Sequence, residues 1–106
     1  MVELICGKFE EVPVDQLISK NIKLCFMDPP DNIGKKYDGY DDRLDSSIYE
    51  DLLATWTKRA CDVTDGPVFL SVNEKWLGVI EYLIREKKIK LIRRLWWTYT
   101  FGQSSK

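Results

Sequence analysis

Two short apolar runs, each bounded by turn-forming residues, constrain the fold of this chain more than any other feature. The first covers residues 23–27, Lys-Leu-Cys-Phe-Met, and ends at Asp28 and two prolines. The second covers residues 68–72, Val-Phe-Leu-Ser-Val, and follows the chain break at Gly66-Pro67. Nearly continuous apolar runs of this length are typical of strands that are covered on both faces. We therefore predict a sheet with parallel strands.

Helical patterns lie beside these strands. A short helix is predicted over residues 12–19, with Pro13 near its first turn. Ser47 and Glu50 have the spacing of a capping box at the start of a second helix, and Asn73 can cap a third. The predicted apolar stripes are Ile48, Leu52, Leu53, Trp56 and Ala60 in the second helix, and Trp76, Leu77, Ile80, Leu83 and Ile84 in the third.

Two further strands are predicted near the ends of the chain, over residues 2–6 and 90–101, because both segments are rich in β-branched, aromatic or other apolar residues. The alternation of strands and helices predicts a doubly wound α/β fold, and the 106 residues are enough for one domain. Residues 31–47 are predicted to be a long polar loop. Ligands of such folds bind beyond the carboxyl ends of strands, where Asp28 and Asn73 are expected.

The composition excludes several kinds of chemistry. The chain has no His and three Cys, none in a Cys-x-x-Cys pair, so neither a metal site nor a His-activated nucleophile is predicted. Cys6 and Cys25 lie in apolar runs and are expected to be small buried hydrophobic residues. No apolar run is long enough to span a membrane and no signal peptide is visible. A cytoplasmic protein is expected.

Charge is distributed unevenly. Residues 1–51 contain 12 acidic and 6 basic residues, whereas residues 52–106 contain 10 basic and 5 acidic residues. The basic residues are densest over residues 85–94. Such a cluster can face nucleic-acid phosphates. It is equally typical of a solvated helix end followed by a strand, which is the interpretation that we favour.

The Asp28-Pro29-Pro30 turn has a chemical property beyond ending a strand. The prolines fix two φ angles and remove two backbone donors, so the turn offers mainly acceptors. Acceptors suit an amino group that has two N–H bonds to donate. They can hold the nitrogen of an aromatic amine towards tetrahedral geometry as it attacks. The alternative is that the tripeptide only ends the strand and starts the loop.

The wider segment over residues 26–42, Phe-Met-Asp-Pro-Pro-Asp-Asn-Ile-Gly-Lys-Lys-Tyr-Asp-Gly-Tyr-Asp-Asp, resembles the catalytic segment of DNA amino-methyltransferases. That segment has the signature Asp-Pro-Pro-Tyr after an apolar strand. The resemblance covers nearly all of the chain. It implies transfer of a methyl group from S-adenosylmethionine to an exocyclic amine of adenine or cytosine in double-stranded DNA. Adenine is the preferred target.

The resemblance also implies roles for individual residues. Asp28, Pro29, Pro30 and Asp31 stand at the catalytic positions, although Asp31 replaces the Tyr that stacks on the flipped base. Tyr37 and Tyr40 could supply that stacking, or they are ordinary loop tyrosines. Gly7, Lys8 and Asp28 stand at the positions that bind the cofactor in this family. Lys8, however, replaces an acid that would accept a hydrogen bond from the cofactor.

The family's cofactor loop, Phe-x-Gly-x-Gly, does not occur in the 106 residues. The chain therefore resembles the first part of the permuted class in which the catalytic segment precedes the target-recognition region and the cofactor module. We expect a partial Rossmann-like sheet that lacks both later parts and is inactive by itself. The alternative is a non-catalytic remnant that binds nucleic acid or a protein partner.

In the family's strand order, 3-2-1-4-5-7-6, residues 2–6 would supply strand 3, residues 23–27 strand 4, residues 68–72 strand 5 and residues 90–99 strand 6. Strand 3 would then lack a neighbour and strands 5 and 6 would be separated. Open strand edges seek partners. We expect the chain to adopt another strand order or to self-associate through these edges, rather than to lose order over residues 1–10.

Overall fold

The computed structural model describes residues 2–32, 36–37, 40–41 and 44–96, and of residues 36–37 and 40–41 it describes the backbone alone. The helices in this part are α1 (Val14–Ile18), α2 (Ser46–Val63) and α3 (Leu77–Arg85), with short 3-10 helices at Phe9–Glu11 and Glu74–Trp76. The strands are β1 (Cys25–Met27), β2 (Lys36–Tyr37), β3 (Tyr40–Asp41) and β4 (Val68–Leu70).

β1 and β4 form a parallel pair, and α2 lies between them in the chain. The register places Cys25 opposite Val68, Phe26 opposite Phe69 and Met27 opposite Leu70. This confirms an α/β arrangement and the parallel pairing of the two apolar runs. Within the described residues the parallel sheet has these two strands alone, so it is much smaller than a doubly wound sheet.

The pair is covered on one face, not on both as its apolar runs predicted. Met27 packs against the core that α2 and α3 build. On the opposite face Phe26 is 69% exposed and Phe69 is 45% exposed, although both are large aromatic residues. The prediction failed because a continuous apolar run reports the character of both faces, whereas the described chain supplies helices to one face.

The two outer strands were wrongly predicted where the structure describes them. Residues 2–6 and 90–96 form no strand. Leu4 is 92% exposed and Ile92 is 80% exposed, so the side chains of these segments find no layer to pack on. A β-branched or aromatic composition favours a pleated, half-buried surface only where a neighbouring strand exists. Residues 97–101 of the second prediction lie outside the described part.

The N-cap of α2 lies two residues before the predicted one. Asp45, not Ser47, is the N-cap, and its Oδ1 accepts hydrogen bonds from the Ser47 N–H at 2.9 Å and the Ser47 hydroxyl at 2.6 Å. The buried stripe is also shifted by one position, because Tyr49 is fully buried whereas Ile48 is exposed. Leu53, Trp56 and Ala60 are buried as predicted.

Four aromatic and aliphatic side chains form the centre of the core: Tyr49, Leu53, Trp56 and Trp76. The Tyr49 ring lies 4.6 Å from the Trp76 ring and 6.1 Å from the Trp56 ring, the latter in an edge-to-face arrangement that aromatic pairs favour. Trp56 Nε1 also donates to Glu10 Oε1 at 2.8 Å. This bond ties the 3-10 helix Phe9–Glu11 to α2.

The polar loop predicted over residues 31–47 contains a short antiparallel ladder. β2 pairs with β3 in a register that places Lys36 opposite Asp41 and Tyr37 opposite Tyr40. The residues between the two strands in the sequence are Asp38 and Gly39. Asp-Gly is typical of two-residue hairpin loops, so this sequence signal could have identified the pair.

The turn signals at Pro13 and Gly66 agree with the structure. Pro13 immediately precedes α1 as its N-cap. Asn73 was predicted to cap the third helix, but it is the N-cap of the 3-10 helix Glu74–Trp76, where its side chain accepts from the Lys75 N–H at 2.9 Å, and the N-cap of α3 is Trp76. Gly66 turns the chain from α2 into β4 with φ at +156°. Just before Gly66, the Asp65 N–H donates to the Ile22 carbonyl at 2.7 Å and holds the turn in place.

Gly66→Ala should lower the free energy of unfolding, because an ideal Cβ at position 66 would lie 2.0 Å from the Lys23 carbonyl oxygen. The backbone must move, and such overpacking costs about 1–3 kcal/mol. Gly78→Ala is the matched control, since nothing lies within 4 Å of its Cβ and alanine favours the helix by about 0.5–1 kcal/mol. Urea denaturation should show opposite signs for the two variants. Equal effects would contradict this account of Gly66.

The Asp45 carboxyl, which caps α2, should titrate with a lowered pKa. The Ser47 hydroxyl, and then the Ser47 backbone N–H, lower the pKa of Asp45 below its ordinary value. A carboxylate with a lowered folded pKa stabilises the protein above its unfolded pKa of about 3.9, and that stabilisation is lost as the pH falls through the folded pKa. Ser47→Ala should raise the pKa of Asp45 in an NMR titration. An unchanged pKa in this variant would show that the hydroxyl is not its main cause.

Candidate functional site

The Asp28-Pro29-Pro30-Asp31 segment leaves β1 at its carboxyl end, beside the end of β4. The Ser71 N–H donates to the Met27 carbonyl at 2.9 Å, so the parallel pairing continues to the residue before Asp28. Asp28 is exposed, and the two prolines are half-buried. The sheet therefore presents Asp28 to solvent at the edge where α/β folds bind ligands.

Two core side chains hold the turn from beneath. The Tyr49 hydroxyl of α2 donates a hydrogen bond to the Pro30 carbonyl. Trp76 Nε1 donates to the Asp31 carbonyl at 2.6 Å. Both rings are buried and in contact with each other. Buried Tyr and Trp side chains need a partner for their polar atoms, and here the carbonyls of the turn are those partners.

Asn32, the residue after Asp31, joins the end of the turn to Leu44 by two side-chain hydrogen bonds. Its Oδ1 accepts from the Leu44 N–H at 2.9 Å, and its Nδ2 donates to the Leu44 carbonyl at 3.0 Å. The side chain is buried, and the backbone has φ at +56°, a left-handed conformation that Asn tolerates better than most residues. The two ends of the segment between residues 32 and 44 are thereby joined next to the candidate site.

Some hydrogen-bond acceptors of the turn are therefore used within the protein, and others are not. The Pro30 carbonyl, expected to face outward, is committed to Tyr49 instead. Within the described residues, the Asp28 carboxylate makes no hydrogen bond or ion pair, and the Pro29 carbonyl accepts no hydrogen bond. These two groups are among those that the turn can offer to a ligand. A carboxylate and a carbonyl can accept both N–H bonds of one amino group.

The remaining predicted residues are not gathered around Asp28 by any contact of the described chain. Gly7 and Lys8 are exposed, and no hydrogen bond or ion pair joins them to the turn. Tyr37 and Tyr40 face each other across the β2–β3 ladder, with side chains outside the described part. The Asn73 amide oxygen caps its own 3-10 helix and is used there.

The described residues do not fit S-adenosylmethionine by themselves. Lys8 is an exposed cation at the start of the 3-10 helix Phe9–Glu11, where the resemblance implies a hydrogen-bond acceptor. A Cβ at Gly7 would meet nothing within 4 Å, so the space beside this glycine is open. The acid that the resemblance implies is thus missing at Lys8, whereas Gly7 leaves room for a ligand.

Cys6 and Cys25 are not the buried hydrophobic residues that were expected. Cys6 is exposed, whereas Cys25 and Cys61 are half-buried, and none forms a disulfide in the described chain. Burial raises the pKa of the Cys25 thiol, and burial together with the Asp62 charge raises that of Cys61. A raised pKa disfavours the nucleophilic thiolate, so Cys25 and Cys61 are poor candidates for covalent chemistry.

Neither a metal cluster nor a membrane-spanning helix is found among the residues that the structure describes. No three His, Cys, Asp or Glu side chains there come together in a group able to hold a metal ion. No helix in the same part of the chain is long and apolar enough to cross a bilayer.

Sequence reasoning missed the residues that hold the site: Tyr49, Trp76 as a donor, and Asn32. A partial signal existed for Tyr49, which shares helical spacing with Leu53 and Trp56. Trp76 was predicted to be a core residue, but its Nε1–H had no predicted acceptor. The two hydrogen bonds to the turn span 19 and 45 residues of sequence, beyond the reach of any local pattern.

Comparison with known proteins gives one partial relationship. The chain is similar to the type II methyltransferase M.HpaI of Haemophilus parainfluenzae, with 29% identity over 103 residues. The alignment covers 93% of this chain and 32% of M.HpaI, so the chain spans about a third of that protein's length. No protein-family model and no solved structure matches the chain. This similarity supports a relationship to methyltransferases.

Tyr49→Phe should destabilise the protein by about 1–3 kcal/mol, because it leaves the Pro30 carbonyl without its donor while keeping the ring in the core. Tyr82→Phe is the control, since Tyr82 is exposed on α3. Urea denaturation measures the cost, and amide NMR shifts show where the structure changes. Shifts that leave residues 28, 31 and 32 unaffected would contradict the role of Tyr49 in holding the turn.

Proposed function

We propose that this chain is the catalytic segment of a DNA amino-methyltransferase. The carrying observation is the pair of acceptors, the Asp28 carboxylate and the Pro29 carbonyl, that the described chain leaves unengaged at the carboxyl end of a parallel strand. Similarity to M.HpaI, a type II methyltransferase, supports the reaction class. The proposed reaction moves a methyl group from S-adenosylmethionine to an exocyclic amine of a base in double-stranded DNA.

The two acceptors perform the protein's part of this chemistry. An exocyclic amine on an aromatic base is a poor nucleophile because its lone pair is delocalised into the ring. Hydrogen bonds from both N–H groups, to the Asp28 carboxylate and the Pro29 carbonyl, favour tetrahedral geometry at nitrogen. The lone pair then becomes available for attack, and the carboxylate stabilises the positive charge that develops on the nitrogen. No covalent enzyme intermediate is needed.

The hydrogen bonds beneath the turn prepare these acceptors for the reaction. Tyr49 and Trp76 hold the carbonyls of Pro30 and Asp31, and two prolines restrict the backbone between them and β1. A group that is already in position needs no reorganisation when charge develops in the transition state. The core of the domain thus fixes the geometry of the site.

Base stacking and the methyl donor require groups beyond those described around Asp28. We assign base stacking to Tyr37 or Tyr40, which face each other in the β2–β3 ladder, because Asp31 has no ring. S-adenosylmethionine is the proposed donor. Gly7 and Lys8 do not form a site for it in the described chain, so no step of the reaction is assigned to them.

The finer assignments rest on the family resemblance alone. Adenine N6 is the preferred target over cytosine N4, and nucleoside analysis of the modified DNA distinguishes the two. The protein is proposed to work on DNA in the cytoplasm. The permuted order, with the catalytic segment before target recognition and the cofactor module, is proposed for the complete reading frame.

Asp28→Ala in the protein encoded by the complete reading frame should abolish methyl transfer and leave most DNA affinity intact. The carboxylate acts in the transition state, whereas phosphate contacts dominate affinity. Radiolabelled methyl transfer to mixed-sequence DNA measures the first effect, and fluorescence anisotropy measures the second. Asp51→Ala is the matched control, because Asp51 is an exposed aspartate on α2.

Near-normal turnover of Asp28→Ala would reduce Asp28 to a residue that ends a strand. No transfer by the wild-type protein from the complete reading frame would overturn the proposed function itself. The Asp28→Asn variant adds a further test, since it keeps a hydrogen-bond acceptor but removes the negative charge. It should retain less activity than the wild type and more than Asp28→Ala.

A second candidate is a non-catalytic protein that binds nucleic acid, favoured by the poor fit of Lys8 to a cofactor. Isothermal titration of S-adenosylmethionine separates the two candidates when it is done with the protein from the complete reading frame. The 106-residue chain by itself is expected to transfer no methyl group, because it contains no Phe-x-Gly-x-Gly loop. Robust transfer by this chain alone would contradict that expectation.

A further inference from the structure

The strongest unassigned feature of the surface is a set of lysines just beyond α3. Lys87, Lys88 and Lys90 line an open groove of about 590 Å³ together with Ile84, Ile89 and Leu91. All three lysines are exposed, and none forms an ion pair within the described residues. Arg85 and Arg93 are exposed on either side of them and also lack an ion-pair partner in that part of the chain.

Three other lysines of the described chain are ion-paired, whereas Lys8 and Lys75 are not. Lys20 pairs with Glu3 at 2.9 Å, Lys23 with Asp65 at 2.7 Å and Lys58 with Asp62 at 2.6 Å. The groove lysines thus form a local excess of positive charge, although the whole chain has a formal net charge of −1. Uncompensated positive charge beside a groove fits a polyanion.

The backbone conformation at the end of α3 shows that stability does not account for the presence of Lys87. Lys87 has φ at +57°, and its N–H donates to the Ile84 carbonyl at 3.0 Å, while the Lys88 N–H donates to the Leu83 carbonyl at 2.8 Å. This is the Schellman pattern of helix termination, in which the left-handed position is usually glycine. A lysine there stores backbone strain that glycine would avoid.

The helix dipole accounts for part of the cluster of basic residues and does not account for the rest. Cations near the carboxyl end of a helix are stabilising, which suits Arg85 in the last turn of α3. That effect falls off within the last turn, so it does not extend to Lys90 and Arg93. The charge continues past the helix end along residues 90–94, the part of the chain for which the sequence had predicted a strand.

We propose that the basic groove, defined by Lys87, Lys88 and Lys90 with Arg85 and Arg93 at its sides, binds the phosphate backbone of double-stranded DNA without sequence preference. This inference rests on the proposed function and assigns its DNA-facing surface. Lysine contacts of this kind position DNA, whereas base selection lies with other groups.

The test measures the salt dependence of binding to a fluorescein-labelled duplex of mixed sequence by anisotropy. The variant Lys87→Gln/Lys88→Gln/Lys90→Gln is compared with the control Lys20→Gln/Lys23→Gln/Lys58→Gln, which removes the same charge from ion-paired positions. Each lost phosphate contact should reduce the slope of log K against log salt by about 0.9, so the groove variant should lose about 2.7. The control should keep nearly the wild-type slope. Equal losses in both variants, or none in either, would overturn the proposal.

Lys87→Gly separates binding from folding. It removes the strain at the left-handed position and should raise the urea midpoint, yet it should reduce the salt slope by about 0.9. A variant that is more stable and binds DNA as well as the wild type would contradict the assignment of Lys87. Stronger competition by polyglutamate than by unlabelled duplex would also overturn the proposal, since the groove would then select an acidic polypeptide.

These results are independent of the reaction. Loss of the salt slope in the groove variant supports the groove even if the protein from the complete reading frame transfers no methyl group. Conversely, loss of methyl transfer in Asp28→Ala supports the proposed function even if the groove variant binds DNA normally. The two hypotheses can therefore fail separately.

Discussion

The hydrogen bonds from Tyr49 and Trp76 to the carbonyls of Pro30 and Asp31 are the interaction on which the described structure depends. They join the helical layer to the loop that leaves β1, and they satisfy polar atoms on both sides at once. Without the turn, the Trp76 side chain would bury an unpaired N–H, at about 1–3 kcal/mol. Without the aromatic pair, the proline turn would have no support on its inner side. The core and the candidate site are thus one construction.

The same construction explains why an aspartate can be presented at the surface from a strand of three residues. The β1–β4 register sets where the strand ends, and the proline turn sets the direction of the chain beyond it. Asn32 then closes the loop onto Leu44 with two hydrogen bonds. Asp28 is the one residue of this segment that is exposed while its neighbours are fixed, an arrangement suited to a group that must meet a ligand without moving.

Local signals in the sequence predicted a large share of this arrangement. The two apolar runs form paired strands and the Gly66-Pro67 break agrees with the structure, because each signal depends on a few adjacent residues, whereas Asn73 caps the 3-10 helix Glu74–Trp76 and not α3. The predicted stripe of α2 named Ile48 in place of Tyr49, because neighbouring positions differ by only about 100° around a helix. The strands expected over residues 2–6 and 90–96 failed, because strand formation depends on a partner that no local pattern contains. For the candidate site, the exposed position of Asp28 followed from the sequence, whereas the commitment of the Pro30 carbonyl did not.

The sequence separation of the contacts around the turn also bears on how the chain folds. α2 carries Tyr49, Leu53, Trp56 and Ala60 on one face, so much of the core is preassembled on a single helix. The bonds from Trp76 to Asp31 and from Trp56 to Glu10 close loops of 45 and 46 residues, and loop closure of this kind carries an entropic cost before any contact is gained. Contacts of this sequence separation cost more entropy than the hydrogen bonds within α2, so we expect them to form after the helix. The acceptor turn is then ordered late, in the step that brings α3 onto α2. A nascent chain would hold a formed helix well before it holds a formed site, and ligand binding at Asp28 would report on the completion of folding.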